Sequence, residues 1–127
     1  MAKNKINKDE IEALYEYAVK YSNKEMSLKQ IYIEFTQKFA HKQIKSSTIN
    51  FYLYVYGHLI NGVKYTGIIS DSATRYYLDK ILETKGKDIL VKALTALSLH
   101  IKYHDMAGRS RRGQRIIEQE YIQRVLK

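Results

Sequence analysis

Apolar residues recur at intervals of three or four through most of this 127-residue chain, and no proline interrupts them. A strand buried on one face would alternate with a period of two, so this spacing predicts helices nearly throughout. The absence of proline removes the commonest helix breaker. The expectation is an all-α fold, a compact bundle of five to six helices. A chain of this length suits one domain over 1–127, with the C-terminal helix, 109–127, separable from the body. The 45% hydrophobic and 12% aromatic content is enough to build a core and excludes a wholly disordered chain.

Start and stop signals divide the chain. Asn7 with Glu10 three residues on, and Ser27 with Gln30, are capping-box pairs. The first predicts a helix from about 8 to 22 with Ile11, Leu14, Ala18, Val19 and either Tyr15 or Tyr21 inward. The second predicts a helix through Leu28, Ile31, Phe35 and Phe39, ended by the polar "HKQIK". Ser47 opens a third helix, "TINFYLYVYGHLI", apolar around so much of its girth that a central position is expected, stopping near Asn61 and Gly62. The next stretch, "VKYTGIIS", has strand-like composition but reads as a loop. Ser70 or Asp71 caps a fourth helix carrying Ala73, Tyr77, Leu78, Ile81 and Leu82, which ends at Gly86. A fifth buries Leu90, Leu94, Leu97 and Ile101, flanked by Ile89, Ala93 and Ala96, and breaks at Gly108. Ile116, Ile117, Tyr121, Ile122, Val125 and Leu126 make the sixth amphipathic, so it should dock on the body or on a partner.

Charge narrows the function. Lys and Arg outnumber Asp and Glu by 22 to 13, a net +9 that favours an anionic partner, although solubility alone can account for a surplus. Lysines are scattered, whereas five of the six arginines lie between Arg109 and Arg124. Arg109, Arg111, Arg112 and Arg115 open the last helix, where planar guanidinium forks and free backbone N–H groups together suit phosphates. No cysteine is present, so disulfides and thiolate chemistry are excluded and a reducing cytoplasm fits. The start, "MAKNKINKDE", lacks an apolar signal core, and no apolar run is long enough to span a bilayer.

Other constellations have plainer readings. Residues 27–60 can be read as helix–turn–helix with Ser47, Thr48 and Asn50 facing a groove and Lys42 and Lys45 on the backbone, but the connection is long and the second helix mostly apolar. Twelve tyrosines invite a base-stacking platform; Tyr52, Tyr56 and Tyr77 sit at core spacing instead. His100 and His104, one turn apart beside Asp105, have zinc-compatible spacing without an evident third ligand, so a structural role is expected and no metal or other cofactor is assigned. No phosphate loop, catalytic triad order or paired-carboxylate motif stands out, so no enzyme is expected.

From Ser46 to Gly108, the segments "SSTINFYLYVYGHLI", "ISDSATRYYLDKILETKGK" and "LVKALTALSLHIKYHDMAG" resemble the core-binding, SAM-like helical domain of tyrosine recombinases and phage integrases. The resemblance covers half the chain and rests mostly on core positions. It implies DNA contact by helix faces near Lys42, Lys45, Lys92 and the basic turn. The family's nucleophilic Tyr and its Arg-His-x-x-Arg partners have no counterpart here, so strand cleavage is not implied. The expected function is an accessory or regulatory nucleic-acid-binding protein of a mobile element or phage, holding double-stranded DNA by its phosphates. The alternative is a small interaction or inhibitor module whose basic face engages an acidic protein, with Ile117, Tyr121 and Leu126 as the contact surface.

Overall fold

The computed structural model describes residues 6–40 and 42–127. The fold is all-α, with six helices and no strand among the described residues: α1 Lys8–Ser22, α2 Leu28–Lys38, α3 Ser46–Asn61, α4 Asp71–Lys85, α5 Lys87–Met106 and α6 Arg112–Val125. The chain divides into two units, 1–56 and 57–127, with the boundary inside α3.

In the first unit both capping boxes form. Asn7 Oδ1 accepts from Glu10 N at 2.9 Å while Asn7 N donates to Glu10 Oε1 at 2.8 Å. Ser27 and Gln30 exchange the equivalent pair at 3.2 and 2.9 Å, so two otherwise orphaned amide donors are satisfied at each start. Ile11, Leu14 and Ala18 are buried as expected; Tyr15, not Tyr21, takes the inward aromatic position, and Val19 is only half-buried. The Tyr15 ring meets Tyr56 of α3 edge-on at 5.2 Å, and Tyr17 meets Phe35 of α2 at 6.5 Å. Between α2 and α3 the polar connection runs as the spacing predicts, with residue 41 outside the described residues. Asn50, one of the three residues that would face a groove in a helix–turn–helix, accepts a hydrogen bond from the Tyr32 hydroxyl, so its acceptor is engaged within the fold.

In the second unit α4, α5 and α6 pack on one another. α4 buries Ala73, Tyr77, Leu78 and Ile81, and α5, packed against it, buries Leu90, Ala93, Leu94, Leu97 and Ile101. The segment 63–70 is a loop. Gly108, at φ +79°, reverses the chain after α5, and α6 folds back onto α4 and α5. Its buried side chains are Gln114, Ile117 and Tyr121, while Ile116 and Leu126 stay exposed. A polar residue therefore leads the inward face: Gln114 Nε2 donates to Asp71 Oδ1 at 2.7 Å and its Oε1 accepts from Thr74 Oγ1 at 3.2 Å. Among the described residues no helix is long and apolar enough to cross a membrane.

Candidate functional site

The arginine turn is built on the two histidines of α5. Four residues apart, their rings project from one side of the helix toward the 63–70 loop. His100 Nδ1 donates to the Tyr65 carbonyl at 2.8 Å, and its ring stacks on the Tyr65 ring at 4.3 Å and 15°. His104 Nε2 donates to the Thr66 carbonyl at 3.0 Å. Carbonyls only accept, so these contacts assign the ring protons and leave each opposite nitrogen as an acceptor.

Both acceptors are used by the turn. Arg109 Nε donates to His104 Nδ1 at 3.0 Å, and Arg111 Nε donates to His100 Nε2 at 3.4 Å. Arg111 Nη2 also reaches the Ile69 carbonyl at 3.4 Å. Each imidazole thus bridges a loop carbonyl to a guanidinium, joining the end of α5, the loop before α4 and the turn before α6. Burial pushes the His100 imidazole down to about 4, with the nearby His104 and Arg111 acting in the same direction. A proton on His100 Nε2 would also set one donor against another. Burial likewise pushes the Tyr65 hydroxyl up, and that oxygen lacks a hydrogen-bond partner among the described residues.

A neutral acceptor orients a guanidinium without cancelling its charge, which a carboxylate would do. Arg109 and Arg111 are held in the first way. Arg112 is exposed and has no carboxylate partner among the described residues. Arg115 differs, because it forms an ion pair with Asp105. Further along α6, Arg124 pairs with Asp79 at 2.8 Å and lies over the Tyr121 ring at 4.3 Å.

The backbone of this turn is less open to anions than its sequence suggests. Asp71 approaches Gly113 so closely that a Cβ there would overlap its carboxylate. The first turn of α6 therefore already faces a negative group, and the arginines, not the amides, are what an external anion would meet.

The lysines belong to other elements. Lys42 Nζ lies 2.8 Å from the carboxylate of the fully buried Glu10, so the same acid that caps α1 also takes this cation. Lys45 is exposed just before α3, and both lysines belong to the first unit. Lys92 is exposed on α5, twelve residues before His104 and hence about 18 Å from it along the axis. The structure thus brings Arg109, Arg111, Arg112 and Arg115 together and leaves Lys92 apart. Of the contact face expected for an interaction module, Ile117 and Tyr121 are buried in the packing of α6, with Tyr121 donating to Asp79 at 2.5 Å, whereas Leu126 is exposed. Sequence reasoning singled out the histidine pair and the arginines separately, but not the contacts that join them. No family model, curated protein or solved structure matches the chain.

Proposed function

We propose that this chain is a nucleic-acid-binding protein that grips the phosphates of duplex DNA with Arg109, Arg111 and Arg112, without chemistry on the strand. The observation that carries this reading is that Arg109 and Arg111 are fixed through Nε by imidazole nitrogens. Their charge is retained and their rotamer entropy is already spent, which is what tight anion binding requires. A purely solubilising surface has no need of such positioning. The resemblance of 46–108 to the core-binding domain of tyrosine recombinases points the same way and is the ground for an accessory role in a mobile element or phage.

Three phosphate contacts give an expected salt slope of about −3 in a plot of log K against log salt. The test is binding to duplexes of unrelated sequence over a salt series, with RNA in parallel. Joint replacement of Arg109, Arg111 and Arg112 by Gln should weaken all duplexes alike and flatten the slope, whereas Arg115→Gln, which removes a charge already balanced by Asp105, should do much less. An unchanged dissociation constant for the triple variant at low salt would remove the proposal.

A further inference from the structure

A second surface lies on the outward side of α5, and we infer that it docks an amphipathic helix of a partner protein with an acidic first turn. Val91, Leu99, Tyr103 and Met106 are 50, 38, 37 and 81% exposed. With Thr95 they follow one another at three- and four-residue steps, so they form one stripe along the helix. Two grooves meet at Leu99. One, of about 360 Å³, runs between α5 and α6 beside Val91, Thr95, Ile122 and Val125. The other, of about 420 Å³, continues past Tyr103 to Met106. Together they track sixteen residues of α5, from Val91 to Met106, an axial span of about 22 Å that matches four turns of a second helix.

Charge selects the occupant. Lys64 and Lys102 line the Met106 end, with Lys64 Nζ 5.2 Å over the Tyr103 ring. Neither lysine has a carboxylate partner among the described residues. Against them the groove presents one acid, Glu118. A second copy of the chain would bring this cationic face against its like. A phosphate backbone would satisfy the lysines but leave Val91, Leu99 and Met106 in water. An antiparallel helix with Asp or Glu in its first turn fills the groove with its apolar face and sets those acids beside Lys64 and Lys102, where the C-terminal end of α5 also meets an N-terminal helix end.

The probe is a fluorescein-labelled synthetic amphipathic helix of about 16 residues with leucines along one face and glutamates in its first turn, titrated with the full chain. Expected is saturable binding that weakens about tenfold or more when Leu99→Asp and Lys102→Glu are combined, and equally when the peptide is scrambled or its glutamates become lysines. Both substituted side chains are exposed, and a matching thermal melt shows that the double variant is folded. Equal binding of the scrambled peptide, indifference to the double variant, or self-association of the chain that Leu99→Asp abolishes would each overturn the inference. Arg109→Gln with Arg112→Gln should leave the peptide bound as before while lowering DNA affinity, so the two readings fail separately; loss of the peptide in that variant would place its site off α5.

Discussion

His100 shows how one buried side chain sets a pH response. Its neutral ring is the form that both accepts from Arg111 and donates to Tyr65. In the folded chain it takes up a proton only near pH 4, against about 6.5 when unfolded. Between those values the unfolded state binds the extra proton, so stability is fully present above about 6.5 and falls as the pH drops toward 4. The stability this residue contributes is on the order of 3 kcal/mol. Urea unfolding at pH 7.5, 6 and 5 should show that decline, and His100→Gln, which cannot titrate, should flatten much of it. A wild-type profile no steeper than that of the variant would mean the ring is solvated when folded. The spacing of His100 and His104 was plain in the sequence, but their partners were not. Tyr65 is 35 residues from His100, and which ring nitrogen faces which arginine depends on the chain reversal at Gly108.

Among the elements, helix starts were legible and helix faces less so. The capping boxes at Asn7 and Ser27 are local, decided by residues three apart, and appear where the spacing placed them. The inward face of α6 is not local. Ile116 and Ile117 are equally apolar, and α6 turns Ile117 inward because Gln114 and Tyr121, which share its side, find Asp71, Thr74 and Asp79 on α4. Apolar periodicity cannot register a face whose anchors are polar. Ile117→Ala should therefore cost about 2–5 kcal/mol and Ile116→Ala less than about 0.5, read from denaturant midpoints. The same contacts predict coupling at the helix start. Gly113→Ala carries the usual helix preference for alanine, about 1 kcal/mol, but its Cβ displaces the Asp71 carboxylate that satisfies Gln114. In an Asp71→Ala background the collision is gone, so Gly113→Ala should be clearly more favourable there than in the parent chain. Additive effects in that double-mutant cycle would contradict the close approach.

Across the whole molecule, what separates function from bulk charge is where the acids are. The net +9 is spread over many lysines, yet among the described residues the arginines divide into three that meet carboxylates and three, Arg109, Arg111 and Arg112, that do not. Arg115 and Arg124 answer Asp105 and Asp79, and Arg75 answers Glu120 at 2.9 Å. Arg109 and Arg111 answer imidazoles. Counting charges in the sequence cannot distinguish these classes, because the acids that neutralise Arg75 and Arg124 lie 45 residues away along the chain. The distinction predicts opposite phenotypes for two substitutions on the same helix. Arg124→Gln removes an exposed ion pair and a ring contact, so it should lower stability by up to about 1 kcal/mol while leaving DNA affinity unchanged. Arg112→Gln should leave the thermal midpoint unchanged, weaken every duplex alike and reduce the salt slope by about 1. Thermal melts beside fluorescence anisotropy at two salt concentrations read both quantities on each variant. If Arg124→Gln weakened DNA as much as Arg112→Gln, binding would follow total charge alone, and the imidazole-held turn would have no special part in it.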